Sequence, residues 1–415
     1  MPSIELSPDH DVWLTKLFNY LRGEGYSREG RDYVAIARRF LIHIQIKGLT
    51  VHAVNPSHVD KYLRGMKRLR TSRQRKSLSE GQRHYCRAAL QMLLRFVRGE
   101  WPPAVLPRSE REMFHSKLLA AYDAWMLDLR GLCAVTRGTR CANALQYLQW
   151  LGDRGTEETL CRMTIVDIDS YVQRSMELLN RRATKKGFAV CLRSFLRYLH
   201  ASGRSQDLAS AVLLPKLYVH ESIPSALRAE EIEQVLRATR QDRSPMGLRD
   251  YAIVTLLSTY GLRAGEITAL RLNDVDWTHD RLRIHHSKTA THSELPLLPG
   301  PGEAIIDYLR KGRPKSNSQR EIFLRTQAPY RALRGGSLWS VLEPRLKAAG
   351  VVPQGKRGPH AFRHARAASL LRSAVPLKVI GDVLAHRSAA STMAYLKLDV
   401  EQLRGIALEV PGGRV

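Results

Sequence analysis

The segment YGLRAGEI, at residues 260–267, is the most informative part of this 415-residue chain. A helix-like apolar run leads into it, and its glycine and arginine fall where such a helix would end. Four more polar stretches follow in order, namely SKT at 287–289, HAFRH at 360–364, LAHRS at 384–388, and Tyr395. Each offers a group that a plain hydrophobic core would not accommodate, so we expect chemistry in this part of the chain.

Each stretch has an ordinary explanation when it stands alone. Arg263 would be an exposed arginine at a helix end, and Lys288 would be a solvated residue of a hairpin turn. Tyr395 would be one residue of an amphipathic helix. The prediction of a functional site therefore depends on all the stretches occurring together and in order.

Metal and cofactor sites are not predicted. HAFRH places two histidines at the spacing of a zinc motif, but it holds an arginine and no glutamate that could act as base. His285, His286 and His292 are close in sequence, yet adjacent strand residues point to opposite faces of a sheet. The five cysteines form no CxxC pair, which argues against a cysteine zinc site.

Taken together, these stretches resemble the tyrosine recombinases, also called the phage integrase family, over nearly all of residues 225–397. That family has an arginine in a Gly-Leu-Arg-x-x-Glu element, a lysine in a β-hairpin turn, a His-x-x-Arg on a helix, and a Gly-His pair. Its tyrosine nucleophile follows nine residues after that last histidine. The matching residues are Arg263, Glu266, Lys288, His360, Arg363, His386 and Tyr395.

One position departs from the family pattern. Ala385 stands where a glycine usually precedes the histidine that matches His386. The turn there must either avoid a positive φ or tolerate the strain that a side chain brings to it.

The resemblance implies a role for each matching residue. Tyr395 would attack phosphorus and form a 3′-phosphotyrosyl link, while two arginines hold the non-bridging oxygens with paired hydrogen bonds. Lys288 would deliver a proton to the leaving 5′ oxygen. His360 and His386 would donate hydrogen bonds or move protons, in an assignment that stays open, and Glu266 would orient an arginine or a histidine. The two arginines are Arg263 and Arg363.

The implied activity is site-specific DNA recombination in the integration, excision or transposition of a mobile element. Four protomers on two DNA sites are expected, either four copies of this chain or a mixture of this chain with partner recombinases. The layout also resembles, more weakly, the recombinases of recombinase-in-trio elements. Two alternatives stay open: strand relaxation of the type IB topoisomerase kind, and an inactive DNA-binding partner of other recombinases. All seven polar positions are filled, which argues against an inactive partner.

The charge of the chain predicts double-stranded DNA as the partner. Lys and Arg number 66 against 39 Asp and Glu, for a formal net charge of +27. Such a field attracts polyanions. Residues 61–98 hold twelve basic residues and one acidic residue. Residues 310–372 hold fifteen basic residues and two acidic residues. Either cluster alone could be a solvated face; together they suggest two contact surfaces.

The compartment is predicted from what the sequence lacks. No apolar run approaches the roughly 18 residues that span a bilayer, and the first residues do not form a secretory signal. The odd number of cysteines fits a reducing environment. We expect no membrane association and a cytoplasmic, nucleoid-associated location in a prokaryote.

Three domains are predicted, at 1–106, 107–218 and 219–415. The proline-rich segment WPPAVLP at 101–107 ends the first, and prolines near 214–224 end the second. DKYL at 60–63 resembles DSYV at 169–172, and LRFV at 94–97 resembles LRYL at 196–199. These pairs suggest that a helical module is duplicated.

The fold class is predicted as mainly α: helical N-terminal DNA-binding modules, then an α-rich catalytic domain with a small antiparallel sheet. The resemblance adds the integrase-like DNA breaking-rejoining fold. In the catalytic domain we expect a hairpin with arms at 281–286 and 294–298. Helices are expected near 229–241, 246–260, 302–311, 337–349, 360–373, 376–385 and 388–396. Helix starts are expected at Asn55 with Pro56, and at Ser77 with Glu80.

Residues 107–218 resemble the family's core-binding domain. Thr164 and Asp167 fit a helix start, and a basic run suits a phosphate-facing helix: Arg181, Arg182, Lys185 and Lys186. The first module could be an accessory DNA-binding domain, a duplicated clamp or a protein-contact domain. Its basic run favours DNA and comprises Lys61, Lys67, Arg68, Arg70, Arg73, Arg75 and Lys76. The amphipathic segment 397–408 could dock on a neighbouring protomer or pack on its own domain.

Overall fold

The computed structural model describes residues 6–66, 78–103, 107, 109–217, 226–286, 291–316, 319–353, 357–385 and 392–393. The chain folds into two compact units. One combines Met1–Pro103 with Ser222–Val415, and the other is Ala104–Glu221. Hydrophobic cores form separately within residues 6–103, 107–217 and 226–365.

Within its described residues the first module contains four α-helices: α1 Pro8–Gly23, α2 Arg28–Ile46, α3 Pro56–Gly65 and α4 Glu80–Arg98. The predicted start of α3 is confirmed, because the Asn55 side chain accepts a hydrogen bond from the backbone N–H of His58 at 3.1 Å. The predicted cap of α4 is wrong. The capping residue is Ser79, whose Oγ accepts from the backbone N–H of Gln82 at 3.3 Å.

In the second module the part of the chain that the structure describes forms five α-helices: α5 Glu110–Asp128, α6 Ala134–Leu151, α7 Glu157–Cys161, α8 Ile165–Glu177 and α9 Arg182–Ala201. The predicted helix start at Thr164 is confirmed. Asp167 accepts hydrogen bonds from the backbone N–H of Thr164 at 3.0 Å and from its hydroxyl at 2.8 Å. These bonds, the backbone one first, hold the pKa of Asp167 below its ordinary value.

The two modules bury the same spacing of side chains in the same order of helices. On α2 the buried set is Ala37, Phe40, Leu41 and Ile44, and on α6 it is Ala144, Tyr147, Leu148 and Leu151. On α4 the set Leu90, Leu93 and Leu94 matches Leu192, Phe195 and Leu196 on α9. In both modules a short 3-10 turn follows the second long helix, at Val51–Ala53 and at Gly152–Arg154. The matched spacings support the duplication suggested by the sequence.

The C-terminal part of the chain begins with α10 Ala229–Gln241, α11 Pro245–Tyr260 and α12 Ala264–Ala269. A three-stranded antiparallel sheet follows in the order β1 Val275–Asp276, β2 Arg281–His286, β3 Thr291–Pro296. Further along, the described residues form α13 Pro299–Asp307, α14 Leu338–Ala348, α15 Pro359–Arg372 and α16 Leu377–Val383. With this architecture the predicted fold class, mainly α with a small antiparallel sheet, is confirmed.

Several element boundaries differ from the prediction. The second hairpin arm spans Thr291–Pro296 rather than 294–298. The helix predicted at 302–311 begins at Pro299 and changes to a π-type turn at Tyr308–Gly312. Of the helix predicted at 388–396, the described residues are Thr392 and Met393, which are helical; the rest lies outside the described part of the chain.

Helix α11 lies at the centre of the hydrophobic core formed within residues 226–365. It packs against α10, α13 and α15 and is buried on nearly all sides, which explains its almost continuous apolar sequence. It ends at Gly261, whose φ of +65° places it in the left-handed region. A Cβ at that position would meet the Leu384 side chain at 3.0 Å and that of Arg366 at 3.2 Å. Glycine therefore allows α15 and the end of α16 to approach this turn.

Among the helices of the described ranges, none combines the length and the apolar character needed to cross a membrane.

Candidate active site

Arg263 lies immediately after the turn that ends α11, at the first position before α12. Its Nη1 donates to Glu266 Oε1 at 2.7 Å, and its Nη2 donates to the backbone carbonyl of Ala385 at 2.9 Å. The side chain is 29% exposed. Arg263 is therefore held in one direction by two acceptors, while its side chain remains partly exposed.

Glu266 is the buried partner that orients Arg263. It is 6% exposed, and its Oε2 accepts from the backbone N–H of Arg263 at 2.7 Å. Its Oε1 accepts from the Arg263 guanidinium and from Nδ1 of His286, the latter at 2.8 Å. Burial alone would raise the pKa of this carboxyl, but the hydrogen bonds from Arg263 and His286 outweigh it and hold the pKa below its ordinary value. The carboxylate is thus ionised at neutral pH.

Arg363 comes from α15 and is almost fully buried, with 4% exposure. Its Nη1 donates to the carbonyl of Gly261 at 2.8 Å, and its Nη2 donates to the carbonyl of Leu384. The two predicted arginines therefore bind the carbonyls of consecutive residues, Leu384 and Ala385. The structure brings Arg263, Glu266 and Arg363 together at the turn that directly precedes His386.

The backbone of Ala385 has a φ of +49°, in the left-handed region. Of the two outcomes that the sequence left open for this missing glycine, the chain adopts the positive φ and carries the strain. The turn at 384–385 is also the acceptor of both arginines, so its conformation matters for their placement.

His360 lies in the first turn of α15, three residues before Arg363 and on the same side of the helix. It is exposed, and its ring stacks near that of His364 with centroids 6.3 Å apart. The helix begins after Gly358, whose φ is +105°, with Pro359 at its first position. The turn at Gly358 therefore determines where α15 begins, and with it the position of His360 in the first turn of that helix.

Lys288, His386 and Tyr395 lie outside the described residues. Their described neighbours give partial information. Strand β2 ends at His286, two residues before Lys288. Thr392 is 3% exposed, and a Cβ built on Gly381 of α16 would lie 3.1 Å from its Oγ1. The start of the segment that leads to Tyr395 is therefore packed closely against α16.

His286 was not predicted as a site residue. Its strand alternates, with Leu282 and Ile284 buried on the same face and their neighbours exposed. That alternation was the available signal, because it places a histidine on a face otherwise made of core residues. The neighbouring His285 points the other way, pairs across the hairpin with His292, and lies 3.0 Å from Asp274.

No group of three or more His, Cys, Asp or Glu side chains within the described ranges is arranged to bind a metal ion.

The predicted DNA-binding residues separate into described and undescribed sets. Lys61 is exposed on α3. Arg181 and Arg182 are exposed at the start of α9, and Lys185 and Lys186 are half-buried one turn later. Cations at a helix N-terminus oppose the helix dipole, so this run is unfavourable unless an anion neutralises it. The others lie outside the described residues: Lys67, Arg68, Arg70, Arg73, Arg75 and Lys76.

Comparisons with known proteins place the chain in one family. The profile of the phage integrase family matches residues 225–402. The integrase/recombinase y4rA of Sinorhizobium fredii is 33% identical over 411 residues, covering 97% of this chain and 94% of y4rA. A second protein of that organism, the integrase/recombinase y4gC, is 54% identical over 193 residues, covering 46% of this chain and 99% of y4gC.

Solved structures agree on the fold. The recombinase XerH bound to a palindromic difH substrate has a TM-score of 0.54 at 15% identity, covering 71% of this chain and 87% of XerH. A lambda integrase dimer bound to a COC′ core site has a TM-score of 0.52 at 19% identity, covering 80% of this chain and 91% of the lambda integrase chain. The chain belongs to the phage integrase family, the tyrosine recombinases. It is accordingly an enzyme of the site-specific recombinase/integrase type, and the family predicted from its motifs is confirmed.

Proposed function

We propose that this recombinase cleaves and rejoins DNA strands through a 3′-phosphotyrosyl link to Tyr395, in the integration, excision or transposition of a mobile element. One observation carries the proposal. Arg263 and Arg363, which are 100 residues apart in sequence, converge on the carbonyls of Leu384 and Ala385. The next residue is His386, and Tyr395 follows nine residues later.

The arginines suit a phosphate undergoing substitution. Attack at phosphorus increases the negative charge on the non-bridging oxygens, and planar guanidinium groups donate paired hydrogen bonds to such oxygens. The Arg263 side chain is partly exposed, so a phosphate oxygen can approach it. Because Glu266 and the carbonyls of residues 384–385 already fix the arginines, little reorganisation is needed when the charge develops.

The covalent steps balance without a metal or a nucleotide. The Tyr395 oxygen forms a bond to phosphorus, its phenolic proton passes to His360 or His386, and the bond from phosphorus to the 5′ oxygen breaks. Lys288 supplies the proton that the leaving 5′ oxygen takes up. In the second step a 5′ hydroxyl from another duplex attacks the same phosphorus and gives its proton to Lys288, and the bond from phosphorus to the Tyr395 oxygen breaks. The phenolate takes back the proton held by His360 or His386, and the strands are exchanged.

The proposed partners are double-stranded DNA and further copies of the chain, as a tetramer on two DNA sites, with partner recombinases as the alternative composition. In support, one structure with this fold is a lambda integrase tetramer bound to a Holliday junction, with a TM-score of 0.51 at 17% identity. It covers 77% of this chain and 89% of that protein.

We further propose that the first module, residues 1–106, is a duplicated clamp on DNA and that 107–218 and 219–415 are the core-binding and catalytic domains. The matched buried spacings of the two helical modules support a shared architecture. Reversing one charge tests the DNA contact: Lys61→Glu should weaken DNA binding and reduce its salt dependence, because counterion release falls with each lost phosphate contact. Lys16→Glu, an exposed lysine outside the basic cluster, is the matched control.

The catalytic proposal is tested at Arg263. Arg263→Lys keeps the charge but loses the paired donors, so cleavage of a DNA site should fall about 10²-fold while DNA binding changes little. Arg372→Lys, exposed at the end of α15, is the matched control and should cleave normally. Equal losses of binding and cleavage in Arg263→Lys would contradict a role in the transition state. Relaxation of supercoils by the wild type without strand exchange would favour the topoisomerase alternative.

A further inference from the structure

A buried histidine connects the arginine site to the hairpin. His286, at the end of β2, is 6% exposed. Its Nδ1 lies 2.8 Å from Glu266 Oε1, and its Nε2 lies 2.9 Å from the hydroxyl of Ser293 on β3. The same Glu266 oxygen accepts from Arg263 at 2.7 Å. A continuous chain of hydrogen bonds therefore runs from β3 through β2 to the guanidinium.

The protonation of this chain follows from its charges. Glu266 is ionised, since its pKa is held below the ordinary value, so Nδ1 of His286 must donate to it. The Ser293 hydroxyl can donate to or accept from Nε2, so it completes the second hydrogen bond in either form of the ring. Both ring nitrogens are thus used, and the imidazole has one orientation in which both bonds form.

A purely structural residue at this position would be apolar. Leu282 and Ile284 occupy the same face of the strand with no exposure. Burying an imidazole among them is unfavourable unless its nitrogens are hydrogen-bonded. The bonds that His286 makes are to the carboxylate that holds Arg263 and to the opposite arm of the hairpin. The polar side chain is therefore explained by what it orients rather than by packing.

We propose that His286 is a positioning residue for strand cleavage: it fixes the Glu266 carboxylate and, through it, the Arg263 guanidinium. The inference rests on the proposed function, because it assumes that Arg263 acts on the scissile phosphate. Without His286, Glu266 retains its bonds to Arg263, and Arg263 retains its bond to the Ala385 carbonyl, but Oε1 loses the contact that ties it to the hairpin. The Glu266–Arg263 pair is then held less firmly, so the guanidinium can shift from its position. Misplacement of a group by about 1 Å can lower a rate roughly 10²-fold.

Three substitutions at one position separate the two hydrogen bonds. His286→Leu removes both. His286→Asn places an amide nitrogen near the Nδ1 position and can restore the bond to Glu266, while His286→Gln places one near Nε2 and can restore the bond to Ser293. Ser293→Ala removes the outer bond alone. All four are compared with the wild type in DNA binding, thermal unfolding and covalent adduct formation.

Two DNA substrates distinguish a misplaced Arg263 from loss of the proton donor Lys288, which lies two residues after His286. One is an ordinary nicked duplex, and the other carries sulfur in place of the bridging 5′ oxygen at the scissile phosphate. A thiolate leaves without a proton, because thiols are far more acidic than alcohols. The sulfur substrate therefore compensates for loss of the proton donor Lys288 and does not compensate for a misplaced Arg263.

The expected result is specific. His286→Leu should bind DNA as the wild type does, form adduct at least about tenfold more slowly, and remain slow on the sulfur substrate. His286→Asn should recover most of the rate, because it can restore the bond to Glu266. His286→Gln, which restores only the bond to Ser293, should be slower than His286→Asn. Ser293→Ala, which keeps the histidine and its bond to Glu266, should be faster than His286→Asn. Lys288→Ala should be slow on the oxygen substrate and restored on sulfur.

Three results would overturn the inference. His286→Leu could cleave at the wild-type rate, or His286→Asn could cleave no faster than His286→Leu. The sulfur substrate could also restore the rate of His286→Leu as fully as it restores that of Lys288→Ala. If His286→Leu fails to fold, the rates of adduct formation of His286→Asn and His286→Gln are compared instead. Equal rates for these two variants would contradict the inference. Failure of the proposed function is distinguishable, because then the wild type would form no Tyr395-dependent adduct on either substrate.

Discussion

The strained turn at Ala385 predicts the effect of a single substitution on stability. An L-residue in the left-handed region is about 1–2 kcal/mol less stable there than in the right-handed helical region. Ala385, with a φ of +49°, carries this penalty. Glycine removes it but loses about 0.5–1 kcal/mol more chain entropy on folding. Ala385→Gly should therefore stabilise the catalytic part by about 0.5–1 kcal/mol.

The same substitution should leave catalysis intact. The turn acts through its carbonyls, which accept from Arg263 at 2.9 Å and from Arg363, and glycine keeps both carbonyls. Ala385→Val is the opposite perturbation, because a β-branched residue is a true outlier at positive φ. It should be destabilised by about 1–3 kcal/mol and should cleave more slowly, since the carbonyls must move.

Thermal unfolding and the rate of adduct formation measure the two effects. For a part of this size a stabilisation of about 0.5–1 kcal/mol corresponds to a rise in Tm of about 1–4 °C. Hydrogen exchange of peptides covering residues 359–385 would locate the change in α15 and α16. A glycine variant that is less stable than the wild type, or a valine variant that is equally stable and active, would show that this turn is not strained.

The remaining predictions concern the approach of the tyrosine segment and the buried carboxylate. A Cβ at Gly381 would lie 3.1 Å from Thr392 Oγ1, so Gly381→Ala should displace the segment leading to Tyr395 and slow adduct formation about tenfold; Gly138→Ala, on α6 with nothing within 4 Å, should leave that rate unchanged. Because the pKa of Glu266 is lower in the folded state, its ionisation stabilises the protein fully above about pH 4.3, and this contribution is lost as the pH falls through the folded pKa. The pH dependence of unfolding by urea should therefore be weaker for Glu266→Gln, and an unchanged profile would contradict the assignment of an ionised carboxylate.

The sequence predicted the helices whose pattern is local. Helix α10 was predicted with its observed bounds, and α11 and α15 to within one residue at each end, because their apolar spacing and capping residues lie within the element. The cap of α4 was missed because Ser77 and Ser79 both precede, by three residues, a side chain that suits a capping box, Glu80 and Gln82 respectively. Local pattern does not decide between two such starting points.

The site was predictable as a set of residue types and not as a set of contacts. The motifs identified Arg263, Glu266 and Arg363, but their convergence on the carbonyls of residues 384–385 depends on how α11, α15 and α16 pack. The positive φ of Ala385 follows from the same packing, since both arginines bind its turn. His286 was missed because its partner Glu266 lies 20 residues away in sequence. Long-range hydrogen bonds of this kind leave no periodic signal.

The proposed chemistry depends above all on a covalent 3′-phosphotyrosyl link between Tyr395 and DNA. Its most direct test is a nicked duplex from the ends of the proposed mobile element, with the nick placed so that the short 5′-hydroxyl fragment diffuses away after cleavage. Wild type and Tyr395→Phe are incubated with DNA labelled on the strand that would carry the 3′ phosphate. On a denaturing gel we expect a labelled protein band for the wild type and none for Tyr395→Phe, with equal DNA binding. A labelled band that persists in Tyr395→Phe, or a wild type that binds the site and never becomes labelled, would contradict the proposal.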